Sequence, residues 1–282
     1  MKYPEFLKKS IPKQENIRKI RGLLDNSCLH TVCESAKCPN IGECFSKQTL
    51  TFMIMGNICT RNCKFCAVGT GIPTKLDENE PQAVLNAVKK LNLNYVVITS
   101  VTRDDLLDGG ANHYKATIEL LKNKIPNIQV EVLIPDLKGE LDPLKLILSA
   151  TPYVLNHNIE TIPRLYPTIR PQAQYERSLN ILRQTKKFNP DIYTKSGFMV
   201  GLGETKQEIF DVLCDLKNAG ADIATIGQYL APSKDHYPIQ RFVEPKEYSE
   251  YQEFGENLGL KVFAGPFVRS SYHAKEIVNE KI

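Results

Sequence analysis

The sequence predicts an α/β fold, a partial (β/α)6 TIM-like barrel, and three observations carry that expectation. Strand-like and helix-like runs alternate from about residue 51 onward. Each run has the length of half a βα unit, and a series of such units argues for a parallel sheet. Polar clusters follow the strand-like runs, at the edge where barrel chemistry sits. An open, doubly wound sheet is the alternative architecture.

In chain order, "TFMIMG" (51–56) reads as a strand and "PQAVLNAVKKL" (81–91) as a helix. The pairs that follow are "YVVITS" (95–100) with "HYKATIELLKN" (113–123), then "IQVEVLI" (128–134) with "DPLKLILSA" (142–150). After them come "YVLNHN" (153–158) with "YERSLNILRQTKKF" (175–188), and "KSGFMVG" (195–201) with "TKQEIFDVLCDLKNAG" (205–220). The strand "IATIGQ" (223–228) precedes an irregular stretch over 229–244, read as a functional loop because unpatterned segments that long are rarely mere connectors. A last helix spans roughly 245–258. Residues 1 to about 50 are polar, with one amphipathic stretch at "ENIRKIRGLL" (15–24), and read as an extension tied down by whatever its cysteines bind.

At 282 residues the chain is long enough to bury a large core without disulfides. Its 36 Lys and Arg oppose 32 Asp and Glu, a net charge of +4 that is too balanced for a dedicated nucleic-acid binder. The mean hydropathy is −0.29, and no run of 18 apolar residues occurs, which predicts no transmembrane helix. "MKYPEFLKKSIPKQENIRKI" lacks the apolar core of a signal peptide. The expectation is a cytoplasmic protein whose eight cysteines stay reduced and serve metal or redox chemistry.

Six of those cysteines form two triples. Cys59, Cys63 and Cys66 have the spacing C-x3-C-x2-C directly after the first strand, and Cys33, Cys38 and Cys44 have C-x4-C-x5-C before it. Three thiolates can hold three irons of a four-iron cluster and leave the fourth iron open. A structural zinc site would want a fourth protein ligand, which neither triple supplies locally; His30 is a candidate to complete the first. Cys28 and Cys214 fit neither triple, and Cys214 reads as a core cysteine.

C-x3-C-x2-C with the aromatic Phe65 before its last cysteine resembles the radical S-adenosylmethionine superfamily. Longer words narrow the resemblance to the lipoyl synthase family. They are "TVCESAKCPNIGECF", "TFMIMGNICTRNCKFCAVGTG", "SVTRDDLLDGGANHY", "LNHNIETIPRLYPTIRP", "SGFMVGLGET", "TIGQYLAPS" and "GPFVRSSYHA", spread from about residue 17 to 276. Phe45 stands where that family usually has Trp, and Asn57 where it often has Asp.

The resemblance implies a division into an extension (1–50), a radical-generating partial barrel (51–260) and a C-terminal segment (261–282) that closes on it. It implies two [4Fe-4S] clusters and S-adenosyl-L-methionine as cofactors. One cluster would be held by Cys59, Cys63 and Cys66 and would generate a 5′-deoxyadenosyl radical. An auxiliary cluster would be held by Cys33, Cys38, Cys44 and Ser271 of "RSSY" and would surrender its sulfide. The implied reaction inserts two sulfurs, at C6 and C8 of an octanoyl chain on a carrier lysine. Implied partners are octanoylated lipoyl carriers (lipoyl domains of 2-oxoacid dehydrogenase E2, the glycine cleavage H protein), a ferredoxin- or flavodoxin-type electron donor and an iron–sulfur carrier. No nucleic acid and no membrane are expected.

Other residues carry weaker expectations. Asn156, Asn158 and Glu160 could bind polar groups of S-adenosylmethionine, and Arg164 and Arg170 its carboxylate or the carrier's acidic surface; helix capping or a solvated charge is the competing role. His113 and His157 are expected to hydrogen-bond rather than ligate. "GLGETKQE" lacks a full G-x-G-x-x-G, so Gly201 and Gly203 are expected to permit a tight βα turn.

Overall fold

The computed structural model describes residues 3–8, 14–25, 27, 29–47 and 49–279; Cys28 lies outside the described residues. The chain divides into two units, one of Ile11–Asn62 and Ala67–Leu155, the other of Met1–Ser10, Cys63–Cys66 and Asn156–Ile282.

The first unit opens with helix Gln14–Asp25 (α1), strand His30–Thr31 (β1) and the short helices Val32–Ser35 (α2) and Ile41–Ser46 (α3). β1 pairs antiparallel with Thr51–Ile54 (β2), which ties the extension to the sheet. Tyr95–Ser100 (β5) and Gln129–Leu133 (β6) continue the sheet in parallel. Between β2 and β5 lie Ile58–Cys59 (β3), Gly69–Thr70 (β4) and helix Glu80–Lys90 (α4). Ala111–Lys124 (α5) joins β5 to β6, and Leu141–Ser149 (α6) leads to Val154–Asn156 (β7). The strand order is β1-β2-β5-β6-β7. β2 is buried on both faces and β5 nearly so, as parallel strands covered by helices require. Phe52, Ile98 and Val132 are almost inaccessible, each contributing about 1.5–3 kcal/mol relative to exposure. β2 stops two residues short of the expected 51–56, because Met55 (φ +68°) and Gly56 (φ +86°) turn the chain out of the sheet.

The second unit contains Tyr166–Ile169 (α7), Tyr175–Phe188 (α8), Tyr193–Val200 (β8), Lys206–Asn218 (α9), Ile223–Gln228 (β9), Pro245–Asn257 (α10), Lys261–Gly265 (β10) and Ala274–Asn279 (α11). β8, β9 and β10 run parallel in that order, so β10 adds one strand to the six expected. α9 buries Ile209, Val212, Leu213 and Leu216, an i, i+3, i+4, i+7 stripe. Its start is fixed by a capping box in which Thr205 and Glu208 satisfy each other's backbone N–H groups. Cys214 on this helix is half-buried rather than in the core. Residues 229–244 form no regular element, as expected.

Candidate functional site

The first cysteine triple is built from α2, a tight turn and α3. Thr31 caps α2 by accepting the Glu34 N–H, and the turn passes through Lys37 at φ +50°. The Cys38 N–H donates to the Cys33 carbonyl (3.0 Å), and the Ile41 N–H to the Cys38 carbonyl (3.2 Å). Residues 33 to 44 are thereby folded back on themselves, with Phe45 fully buried beneath them. Arg21 on α1 pairs with Glu34 (2.9 Å) and fastens the segment from outside. Cys33 is buried and Cys38 and Cys44 are half-buried. Burial pushes the Cys33 thiol up to about 12; the Thr51 N–H works against this, and Cys38 and Cys44 add to it. Among the described residues, no three His, Cys, Asp or Glu side chains converge as a single ion requires. A four-iron cluster asks for something different, since each thiolate takes its own iron.

The second triple sits on the excursion between β3 and β4, which pair with each other in parallel and close its stem. In the first unit, the Thr60 N–H and hydroxyl both donate to the Thr102 carbonyl (3.1 and 3.0 Å), and the Arg61 N–H donates to Cys59 Sγ (3.4 Å). In the second unit, the Cys66 N–H donates to the Cys63 carbonyl (3.1 Å) and the Lys64 N–H to the Ile169 carbonyl (2.9 Å). The 229–244 loop joins here: the Tyr237 N–H donates to the Lys64 carbonyl, and His236 Nε2 lies 3.1 Å from the Cys66 carbonyl. Phe65 packs against the apolar core of that unit, which accounts for an aromatic at its position. All three of these cysteines are half-buried.

Beyond β7 the chain makes a bulge against β8. His157 N–H donates to the Lys195 carbonyl, but Glu160 N–H already reaches Gly197, and the Ser196 hydroxyl fills the gap by accepting Ile159 N–H. Three residues thus face two, and Glu160 takes φ +65°. Burial raises the Glu160 carboxyl, opposed by Arg170, the Asn158 amide and Arg269. A Cβ on Gly197 would lie 2.6 Å from Thr225 Oγ1 and 3.0 Å from Asn158 Oδ1. Both of those oxygens are buried without a hydrogen-bond partner among the described residues.

Asn158 Nδ2 donates to Ser270 Oγ (3.2 Å) in the RSSY segment. That segment crosses β9 at Gly227, where a Cβ would lie 2.0 Å from the Val268 carbonyl oxygen. Only a residue without a side chain permits this passage. Ser271, half-buried beside the tethered Ser270, makes no hydrogen bond to any described residue.

The weaker expectations divide. Arg164 is exposed and forms a two-pronged pair with Glu208 (2.7 and 3.0 Å) while donating to the Gly203 carbonyl, so the capping role accounts for it. Arg170 is buried and donates to the carbonyls of Asn158 and Ile159, and so supports the bulge. His113 hydrogen-bonds buried Glu80 (2.6 Å), as expected of it. Gly201, at φ +94°, faces the Gln228 amide and the Arg241 carbonyl at distances no Cβ could accept, and Glu204 caps this turn by accepting the Gly201 and Leu202 N–H groups. Sequence reasoning missed Arg61, whose guanidinium binds Asp104 (2.7 Å) and Asp136 (2.7 Å); the only signal available was its place between two cysteines.

Comparison with known proteins follows the same lines. The Radical SAM superfamily pattern matches residues 53–216. A lipoyl synthase of Caldicellulosiruptor saccharolyticus is 53% identical over 276 residues, covering 98% of this chain and 97% of that protein. One from Laribacter hongkongensis is 50% identical over 284 residues, covering 100% and 90%. Among solved structures, HydG, a maturase of the [FeFe]-hydrogenase, superposes with a TM-score of 0.61 at 15% identity over 80% of this chain and 53% of its own. Methylornithine synthase (PylB) does so at 0.55 and 15% over 75% and 69%. These two likenesses establish the α/β fold with its mostly parallel sheet. With the superfamily pattern over more than half of its length, and relatives about half identical along nearly all of it, the chain belongs to the lipoyl synthase family of the Radical SAM superfamily.

Proposed function

We propose that this chain inserts two sulfur atoms, at C6 and C8, into an octanoyl group carried on a lysine of a lipoyl-carrier protein. The observation that carries the reading is the presence of two separately scaffolded cysteine triples in a chain about half identical, along nearly its whole length, to lipoyl synthases. Membership of the superfamily implies S-adenosylmethionine and one four-iron cluster. The second cluster and the assignments of individual ligands are part of the proposal.

The residues present fit these groups. Cys59, Cys63 and Cys66 would hold the radical-generating cluster, their thiols lying on a loop closed by β3 and β4. Together with S-adenosylmethionine, that cluster would supply a 5′-deoxyadenosyl radical able to take hydrogen from an unactivated C–H bond. Asn158 Oδ1 and Thr225 Oγ1, buried and unsatisfied beside the bare Gly197, are suited to the polar groups of a bound small molecule.

Cys33, Cys38, Cys44 and Ser271 would hold the auxiliary cluster, whose sulfide is a substrate of the reaction. The two serines differ in a way that supports this assignment, since Ser270 is occupied by Asn158 and Ser271 is not. A serine oxygen is a harder donor than a thiolate and binds a cluster iron less firmly, which suits a cluster that is consumed. A sulfur source within the protein also places the trap at contact distance from a short-lived carbon radical. The carriers would be lipoyl domains of 2-oxoacid dehydrogenases or the glycine cleavage H protein, with a ferredoxin- or flavodoxin-type donor supplying electrons. Among the described residues no helix is long and apolar enough to cross a membrane; a cytoplasmic location is part of the proposal.

The test is a single anaerobic incubation of reconstituted protein with S-adenosylmethionine, dithionite and an octanoyl-lysyl peptide. Expected are 5′-deoxyadenosine and a peptide carrying two sulfurs. Deoxyadenosine without thiolation would reject the sulfur-insertion reading, and bound zinc in place of iron would reject the enzyme reading altogether.

A further inference from the structure

Arg61 lies between two cysteines of the second triple, yet its side chain is buried rather than solvated. Its Nε and Nη2 donate to the two carboxylate oxygens of Asp104 (2.7 and 2.9 Å), and Nη2 also lies 2.7 Å from Asp136 Oδ1. Asp104 follows β5 and Asp136 follows β6, so one guanidinium ties the loop after β2 to the next two strand ends of its unit. The tie is reciprocated. Arg103, also after β5, donates to the Met55 carbonyl after β2 (3.3 Å) and is itself gripped by Asp105. Burying a guanidinium with two carboxylates gains little net stability over an apolar cluster of equal size. Such an arrangement fixes geometry, and the atom it fixes is the Arg61 N–H, which donates to Cys59 Sγ.

We propose that Arg61 is a positioning residue for the radical-generating cluster: clamped by Asp104 and Asp136, it holds its own backbone N–H on the Cys59 sulfur. The inference rests on the assignment of Cys59 as a cluster ligand. An N–H donated to a cluster thiolate stabilises the more negative, reduced state and raises the reduction potential. It also sets the direction of the thiolate before the iron arrives. Lysine would keep the charge but satisfy the two carboxylates poorly, since it lacks the planar fork.

The test compares full-length wild type, Arg61→Lys, Arg61→Gln and Asp104→Asn after anaerobic reconstitution. The readouts are iron content, circular dichroism and the midpoint potential of the EPR signal that changes on adding S-adenosylmethionine. Expected are potentials that fall from wild type through R61K to R61Q, with D104N also below wild type. Deoxyadenosine formation should fall about ten- to a hundredfold in R61Q, the usual cost of losing an outer-shell partner. Wild-type potentials in folded, iron-loaded variants would overturn the proposal. Asp104 is partly exposed, so D104N decides the matter if the Arg61 variants do not fold. Failure of the wild type itself to take up a cluster that responds to S-adenosylmethionine would indict the functional reading instead.

Discussion

The two cysteine triples solve the same problem with different materials. Cys33 and Cys44 lie on short helices and Cys38 on the turn between them, with one thiol buried. Cys59, Cys63 and Cys66 lie on a strand-closed loop, all half-buried, and are steadied through the backbone and through Arg61. Burial holds the Cys33 thiol near 12, so ligation by that sulfur, as proposed, would first require it to lose a proton. The difference teaches that three thiols do not define a function. What surrounds them decides whether a cluster is guarded or exposed.

The comparison breaks most sharply by removing one thiol from each set. Cys63→Ala should abolish deoxyadenosine formation and lower iron from about eight to about four per chain, by metal analysis. Cys38→Ala should lose as much iron yet still form deoxyadenosine, with no sulfur inserted. If both variants lose radical formation, the two sets are not separable. Ser271→Cys asks a finer question: a softer fourth ligand should keep the auxiliary cluster intact and slow sulfur insertion about tenfold in single-turnover assays. Gly227→Ala should push the Val268 carbonyl off β9, costing about 1–3 kcal/mol in denaturant melts and depressing thiolation more than deoxyadenosine formation.

The smallest expected effect lies on the ion pair of Arg164 with Glu208. The exposed Arg164 guanidinium holds the half-buried Glu208 carboxyl down to about 2, against an ordinary value of 4.5. Its contribution is therefore complete above about pH 4.5 and fades as pH falls toward 2. Glu208→Gln should lower the melting temperature by only about 1 °C at pH 7, with the difference shrinking below pH 4 and in high salt.

Much of this architecture could be read from sequence. The helix over 175–188 and the strands over 95–100 and 223–228 agree with expectation at both ends, because long periodic runs carry a strong local signal. β3 and β4 were not foreseen, since two residues show no periodicity. The clamp of Arg61 on Asp104 and Asp136 was equally silent, because ion pairs between loops leave no pattern along the chain. The cysteine spacings pointed to clusters on chemical grounds, whereas Ser271 was found only through resemblance. Arg164, for which ligand binding and a cap or solvated charge were both open, pairs with Glu208 of the α9 capping box.

The tether at Ser270 has a consequence for how the protein survives its own reaction. The RSSY turn is moored by Asn158 and by its passage over Gly227, and neither mooring runs through Ser271. Among the described residues, Ser270 carries the mechanical load and Ser271 carries none. An anchor kept apart from Ser271 in this way would let the segment hold its place if the proposed auxiliary cluster were dismantled, so that the site could be emptied and refilled without the chain having to find its path again.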